Sequence, residues 1–124
     1  MYRAIESEVP SAEVLVLGYP RFFPTRPPRT CPTGAGKVFV RSDMEWMNSV
    51  IARVNRIIKE EAERAGLDYV DTYDVFQGNE LCTRNSYLNY ADPIDQEHSY
   101  HPTVDGHEAL ASRVATSVTT SFPP

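Results

Sequence analysis

Two short apolar runs on either side of a long amphipathic segment constrain this chain more than any other feature. Glu13 is followed by Val14-Leu-Val-Leu17 and then Gly18-Tyr-Pro20, which stops the run. Such a run is strand-sized and does not alternate, as in a strand covered on both faces. A second candidate strand spans Leu67 to Thr72. Between them lies one long helical pattern. The order strand, long helix, strand is a βαβ unit, which implies parallel strands joined by a right-handed crossover. The predicted class is α/β, with strands near 13–18 and 67–72 and helices near 43–65 and 103–118.

The first helix carries its own start and stop signals. Ser42-Asp-Met-Glu45 has the spacing of a capping box, and Gly66 supplies a stop. Met47, Ile51, Val54, Ile58, Ala62 and Ala65 recur at spacings of three and four, so one stripe is expected to face a core. Charged residues such as Arg53, Lys59 and Glu60 fill the other sides. Trp46 is expected to pack near the helix start. In the last helix Leu110, Val114 and Val118 form the apolar line. Residues 2–8 resemble a last helical turn ended by Pro10, as if the chain began in a helix that had been cut.

The rest reads as loops. Residues 20–42 hold Pro20, Pro24, Pro27, Pro28 and Pro32 and predict an ordered excursion without regular elements. Gly34-Ala-Gly36-Lys37 superficially resembles a phosphate-binding loop. The pattern fails, because the earlier glycine is missing and Val38 follows the lysine. Tyr19 to Phe23 lies at the carboxyl end of the first strand, where functional loops of open α/β sheets gather. It borders a site or plugs the loop with Tyr19, Phe22 and Phe23. Asp71 and Asp74 suit turn hydrogen bonds better than a cation, which wants more oxygen ligands. Residues 77–100 form a second long polar loop.

At 124 residues the chain is one domain at most, with 41% hydrophobic and 23% charged residues. Its net charge of −5 argues against a nucleic-acid partner. Arg21, Arg26 and Arg29 fall together in one loop, readable as a solvated loop or as a site for an anionic head group. No apolar run is long enough to span a membrane, and the N-terminus has no signal-peptide apolar core. Cys31 and Cys82 are too few and too far apart for a zinc site, so no metal is expected. They are two buried thiols or one disulfide, and their loop-like surroundings favour the disulfide and an oxidising compartment.

Chemistry concentrates in His98-Ser-Tyr-His101-Pro-Thr-Val-Asp-Gly106-His107. Pro102 stiffens the backbone beside His101 and keeps that histidine outside the helix behind it. A general base needs an imidazole with near-neutral pKa on backbone that does not wander. His107 falls inside the helix, where an imidazole is expected to pack. His98 has no packing cue and is expected to be exposed.

These segments, taken in order, resemble a known family. Val14-Leu-Val-Leu-Gly-Tyr-Pro20, the proline-rich loop with Cys31, the long helix, Tyr69-Val-Asp-Thr-Tyr-Asp-Val-Phe76, Glu80-Leu-Cys82 and Ser99-Tyr-His101-Pro with Gly106-His107 are similar to the C-terminal half of secreted actinobacterial SGNH (GDSL-type) esterases and lipases. The resemblance covers nearly the whole chain. It implies that residues 1–124 are the C-terminal portion of a single three-layer α/β/α domain with a flavodoxin-like parallel sheet. It makes His101 the catalytic histidine and bridges Cys31 to Cys82. Tyr19, Pro20 and Phe22 become a pocket wall. The family's serine lies in an upstream Gly-Asp-Ser, and neither that segment nor the family's Gly-Asn-Asp occurs here. Many relatives orient the histidine with an aspartate three residues earlier. That position here is His98, whose backbone carbonyl is the substitute, as in some relatives.

The implied chemistry is hydrolysis of a carboxylic ester, without a cofactor, on an ester or lipid substrate. The base would come from this chain and the serine from an N-terminal half of the same domain. The parent protein would be secreted. The alternative is a truncated, non-catalytic module that folds, as an oligomer or alone.

Overall fold

The computed structural model describes residues 4, 8 and 12–121, with side chains as far as residue 118. The elements are β1 (Leu15–Leu17), β2 (Thr30–Gly34), β3 (Lys37–Val40), α1 (Arg41–Arg64), β4 (Asp68–Val70), a 3₁₀ turn (Gln96–His98) and α2 (Val104–Ser121). The expected turn over residues 2–8 lies mainly outside the described residues.

The βαβ expectation holds. β1 and β4 pair in parallel, with Leu15 opposite Asp68, Val16 opposite Tyr69 and Leu17 opposite Val70. The ladder continues past both strands, since Gly18 N donates to Val70 O at 3.1 Å and Thr72 Oγ1 to Gly18 O at 2.6 Å. α1 packs on β1, β3 and β4, and α2 on β4.

α1 begins two residues earlier than predicted, at Arg41. Val40 is the N-cap and Asp43 reaches back, accepting from the Val40 amide at 3.2 Å. Ser42 lies inside the first turn instead of capping it. The far end follows the sequence closely. Gly66 takes a φ of +75°, Leu67 N donates to Ala62 O and Gly66 N to Glu63 O, both at 3.0 Å. That is a Schellman stop, and glycine occupies the left-handed position. The inward stripe differs from prediction. Met44, Asn48, Asn55 and Ala62 are buried, while Val54 and Trp46 are exposed. Two polar side chains take core positions because they bind backbone there, as described below.

The largest departure lies in residues 20–42, where β2 and β3 form an antiparallel hairpin. Its turn is Gly34-Ala-Gly36-Lys37, with Ala35 at φ +49° and Gly36 at +70°. Positive φ at both central residues matches the twist of the flanking strands, and glycine makes it cheap. The glycines that mimicked a phosphate loop therefore serve the hairpin. Cys31 on β2 is bonded to Cys82, with Cα atoms 5.8 Å apart. Closing a loop of that length stabilises by about 4 kcal/mol in the chain-entropy model.

Phe23, Cys31, Met44, Phe76, Leu81 and Leu88 make the core. The hairpin and both long loops supply most of these residues, so the loops are structural. Phe23 meets Phe39 edge-on at 5.6 Å, and Phe76 meets Tyr87 at 5.7 Å. Burying each large side chain is worth roughly 1.5–3 kcal/mol.

Candidate active site

Two loops, one after β1 and one before α2, converge on a cleft of about 580 Å³. Leu17, Tyr19, Pro20, Phe22, Leu88, Pro102 and Leu110 give it mostly apolar walls, and His101 lies among them. Tyr19, Pro20 and Phe22 thus sit in one cavity with His101. Phe23, grouped with them in the sequence, is buried and belongs to the core.

The loop after β1 is clamped from α1. Asn55 accepts from Tyr19 N and donates to Tyr19 O, both at 2.7 Å. Asn48 does the same for Phe23, at 3.1 and 2.7 Å. Each amide pairs with backbone as a neighbouring strand would. This explains polar residues on the buried stripe. Between the clamps, Arg21 is 5% exposed and Glu80 1% exposed. Arg21 donates from Nε at 2.9 Å and from Nη2 at 2.8 Å to Glu80 Oε1, and it also binds Asp74. The second Glu80 oxygen accepts from Gly78 N at 2.8 Å. Arg21 is therefore not part of a solvated loop. It is a buried ion pair that ties Pro20 and Phe22 to the segment after β4. Asp71 makes the expected turn bond, accepting from Tyr73 N at 2.9 Å.

The second loop fixes the backbone of His101 at both ends. His101 N donates to His98 O at 3.1 Å, and His101 O accepts from Asn89 N at 2.9 Å. Tyr100 N to Asn89 O and Thr103 N to Tyr87 O extend this pairing around a Leu88–Pro102 bridge. Tyr100 itself sits at φ +65°, a costly conformation for a bulky residue. Such strain persists only where surroundings over-determine it, and it clusters at functional sites. Here the Tyr100 hydroxyl meets Thr33 Oγ1 at 3.2 Å and its ring lies 6.3 Å from Phe39. The His101 imidazole makes no hydrogen bond among the described residues.

The other two histidines are placed differently. His98 is exposed, and its Nδ1 lies 2.7 Å from both Asp95 carboxylate oxygens. That hydrogen bond holds the Asp95 carboxyl below the usual carboxylate range. The His98 carbonyl is engaged by the His101 amide. His107, expected to pack, is exposed, and shares a second hollow with His98. Ser99 borders the cleft, but its hydroxyl is bound into the loop by the Asp92 and Asp95 backbone. No cluster of three or more His, Cys, Asp or Glu side chains suited to a metal occurs among the described residues.

Asn48, Asn55, Glu80 and Tyr100 were not foreseen as shaping this cleft. The asparagines left a readable signal: they are seven apart and interrupt an otherwise apolar register. Glu80 left none, because its partner is 59 residues away.

Gly106 is explained by contact. A Cβ there would press on the Tyr87 carbonyl oxygen, and lie 3.1 Å from Pro102 Cβ. In an open helix, Gly→Ala stabilises by roughly 0.5–1 kcal/mol. Here the clash reverses the sign, and Gly106→Ala is expected to destabilise by about 1–3 kcal/mol, as overpacking does. Urea denaturation of the purified variant checks this. An unchanged or raised midpoint would show that α2 shifts freely.

The chain is similar to known proteins in both sequence and fold. Residues 1–109 match the model of the GDSL-like lipase/acylhydrolase family. A lipase of Streptomyces rimosus is 32% identical over 106 residues, covering 86% of this chain and 37% of that protein. Lipase 1 of Streptomyces coelicolor is 30% identical with the same coverage. The crystal structure of the extracellular Streptomyces rimosus lipase superposes with a TM-score of 0.69 at 30% identity. Phospholipase A1 of Streptomyces albidoflavus gives 0.75 at 31% identity. Each superposition covers 90% of this chain and 47% of the other, so the chain spans under half the length of these relatives. Matched by the family model over residues 1–109 and sharing the βαβ core with these solved lipases, the chain belongs to the GDSL-like lipase/acylhydrolase family.

Proposed function

We infer that residues 1–124 are the C-terminal part of one SGNH-type domain, that of a secreted carboxylic ester hydrolase. The chain contributes the base and one wall of the acyl pocket. The carrying observation is His101, whose backbone is held at both N–H and C=O while its imidazole borders an apolar cleft without a protein partner.

In this reading a serine from the upstream part of the domain attacks the ester carbonyl. His101 takes the serine proton and returns it to the departing alcohol, and backbone amides hold the oxyanion. The His98 carbonyl, which among the described residues accepts only from the His101 amide, would use its second lone pair to accept from the other ring nitrogen and fix the tautomer once the ring turns toward it in the completed site. Tyr19, Pro20 and Phe22 cover the acyl chain. None of these steps asks for a cofactor. The Cys31–Cys82 bridge suits an oxidising compartment.

The serines here do not offer a nucleophile. Gly-Asp-Ser is absent from the sequence, and the Ser99 hydroxyl is committed to loop backbone. A fluorophosphonate probe is therefore expected to leave the isolated chain unlabelled. Fused behind the N-terminal part of a family member that carries the Gly-Asp-Ser segment, it should label and hydrolyse a short-chain ester. Labelling of a serine in the isolated chain would overturn the assignment of roles. A folded but inert fusion would favour the non-catalytic module.

A further inference from the structure

We propose that the outer face of the β2–β3 hairpin is a docking surface for an anionic lipid bilayer. An antiparallel pair with one face on the core normally shows polar side chains to water. This one does not. Cys31 and Thr33 point inward and are buried, and Phe39 is half-buried. The opposite face pairs Pro32 with Val38 and Thr30 with Val40. Val38 is 56% and Val40 44% exposed. The solvent face of the hairpin is thus largely apolar.

Cations frame it. Between Glu13 and Asp43 the sequence has five Arg or Lys residues and no Asp or Glu, in a chain of net charge −5. One of the five, Arg21, is neutralised internally by Glu80. The other four, Arg26, Arg29, Lys37 and Arg41, are exposed and make no ion pair among the described residues. The fold gathers them at the hairpin. Lys37 precedes Val38 and Arg41 follows Val40. Arg41 N donates to Arg29 O at 3.0 Å, and Arg41 Nε to Pro27 O at 3.1 Å, which brings the 26–29 loop alongside. Of the exposed cations elsewhere, Arg56, Lys59 and Arg64 are paired with glutamates on α1, while Arg53, Arg84 and Arg113 make no ion pair among the described residues but lie apart in sequence, on α1, in the loop after β4 and on α2.

An apolar patch ringed by unpaired cations is the chemistry of interfacial binding. The apolar groups enter the headgroup boundary while the cations meet anionic lipid. A soluble polyanion would use the cations and leave the valines idle. The inner side of the same hairpin touches Tyr100, next to His101, through Thr33 and Phe39. The proposal concerns binding alone and does not depend on turnover.

The test is sedimentation of the intact, disulfide-bonded chain with vesicles. Vesicles of phosphatidylcholine mixed with phosphatidylglycerol should carry it down at low salt. Phosphatidylcholine alone should not, and high salt should release it. Arg26→Gln with Arg29→Gln should lower partitioning roughly 25-fold, about fivefold per charge. Val38→Thr with Val40→Thr, which keeps strand-forming side chains, should also weaken it. Arg56→Gln with Lys59→Gln should leave it unchanged. Circular dichroism confirms that each variant folds. Several results would overturn the proposal: no sedimentation, equal binding to neutral vesicles, an equal loss with Arg56→Gln/Lys59→Gln, or binding indifferent to the valine changes. The last would indicate a soluble polyanion site instead.

Discussion

Replacing His101 by alanine, in the chain completed by a serine-bearing N-terminal part, is expected to lower ester turnover by about 10⁴-fold or more. His98→Ala should leave most of the activity. The asymmetry follows from what each residue contributes. In the proposed mechanism the ring at position 101 is the reagent, and no neighbouring group takes over the proton. At position 98 the proposed contribution is the carbonyl, which alanine retains along with the bond to the His101 amide. The His98 ring binds Asp95 at the surface, and exposed pairs of that kind contribute little. Turnover of both variants at saturating substrate, with the fold checked by circular dichroism, decides the matter. Equal losses would show that the His98 ring has a chemical role and that the carbonyl is not sufficient.

Glu80→Ala is expected to destabilise the chain by about 3–5 kcal/mol, the usual cost of leaving one partner of a buried pair uncompensated. Arg21 would keep only Asp74, whose side chain is 58% exposed, and Gly78 N would lose its acceptor. Single domains have only about 5–15 kcal/mol of stability in total, so the variant should approach unfolding at moderate temperature. Arg21→Met combined with Glu80→Gln removes both charges and should recover a substantial part of the loss. Urea denaturation of the single and double variants measures this coupling. A loss below about 1 kcal/mol for Glu80→Ala would mean that water reaches Arg21 and that the pair is a surface feature. The pair also fixes the wall that carries Pro20 and Phe22, so any surviving folded variant should show a raised KM in the completed enzyme.

The sequence by itself determined the parallel β1–α1–β4 unit, the glycine stop at Gly66, the helix behind the His-Pro turn and the exposure of His98. These depend on local quantities: apolar period, a residue that tolerates positive φ, and the fixed φ of proline. The strand order then followed from chain connectivity. The pairing of Cys31 with Cys82 was legible as a preference, and came from their surroundings and from family resemblance. Only the tertiary structure decided the rest, because the deciding partners are distant in sequence. Arg21 looked like a solvated loop cation until Glu80 was brought to it. Val54 was read into the inward stripe and Trp46 was expected to pack, yet both are exposed, because the buried face includes Asn48 and Asn55, which hold the loop after β1. The hairpin was hidden in a proline-rich stretch. Its pairing depends on a turn with φ positive at Ala35 and Gly36 and on packing of Cys31, Thr33 and Phe39. The meeting of Tyr19, Pro20 and Phe22 with His101 across one cleft is likewise long-range. The backbone hydrogen bonds among residues 87–89 and 98–103 that hold the His-Pro turn leave no periodic signal in either segment.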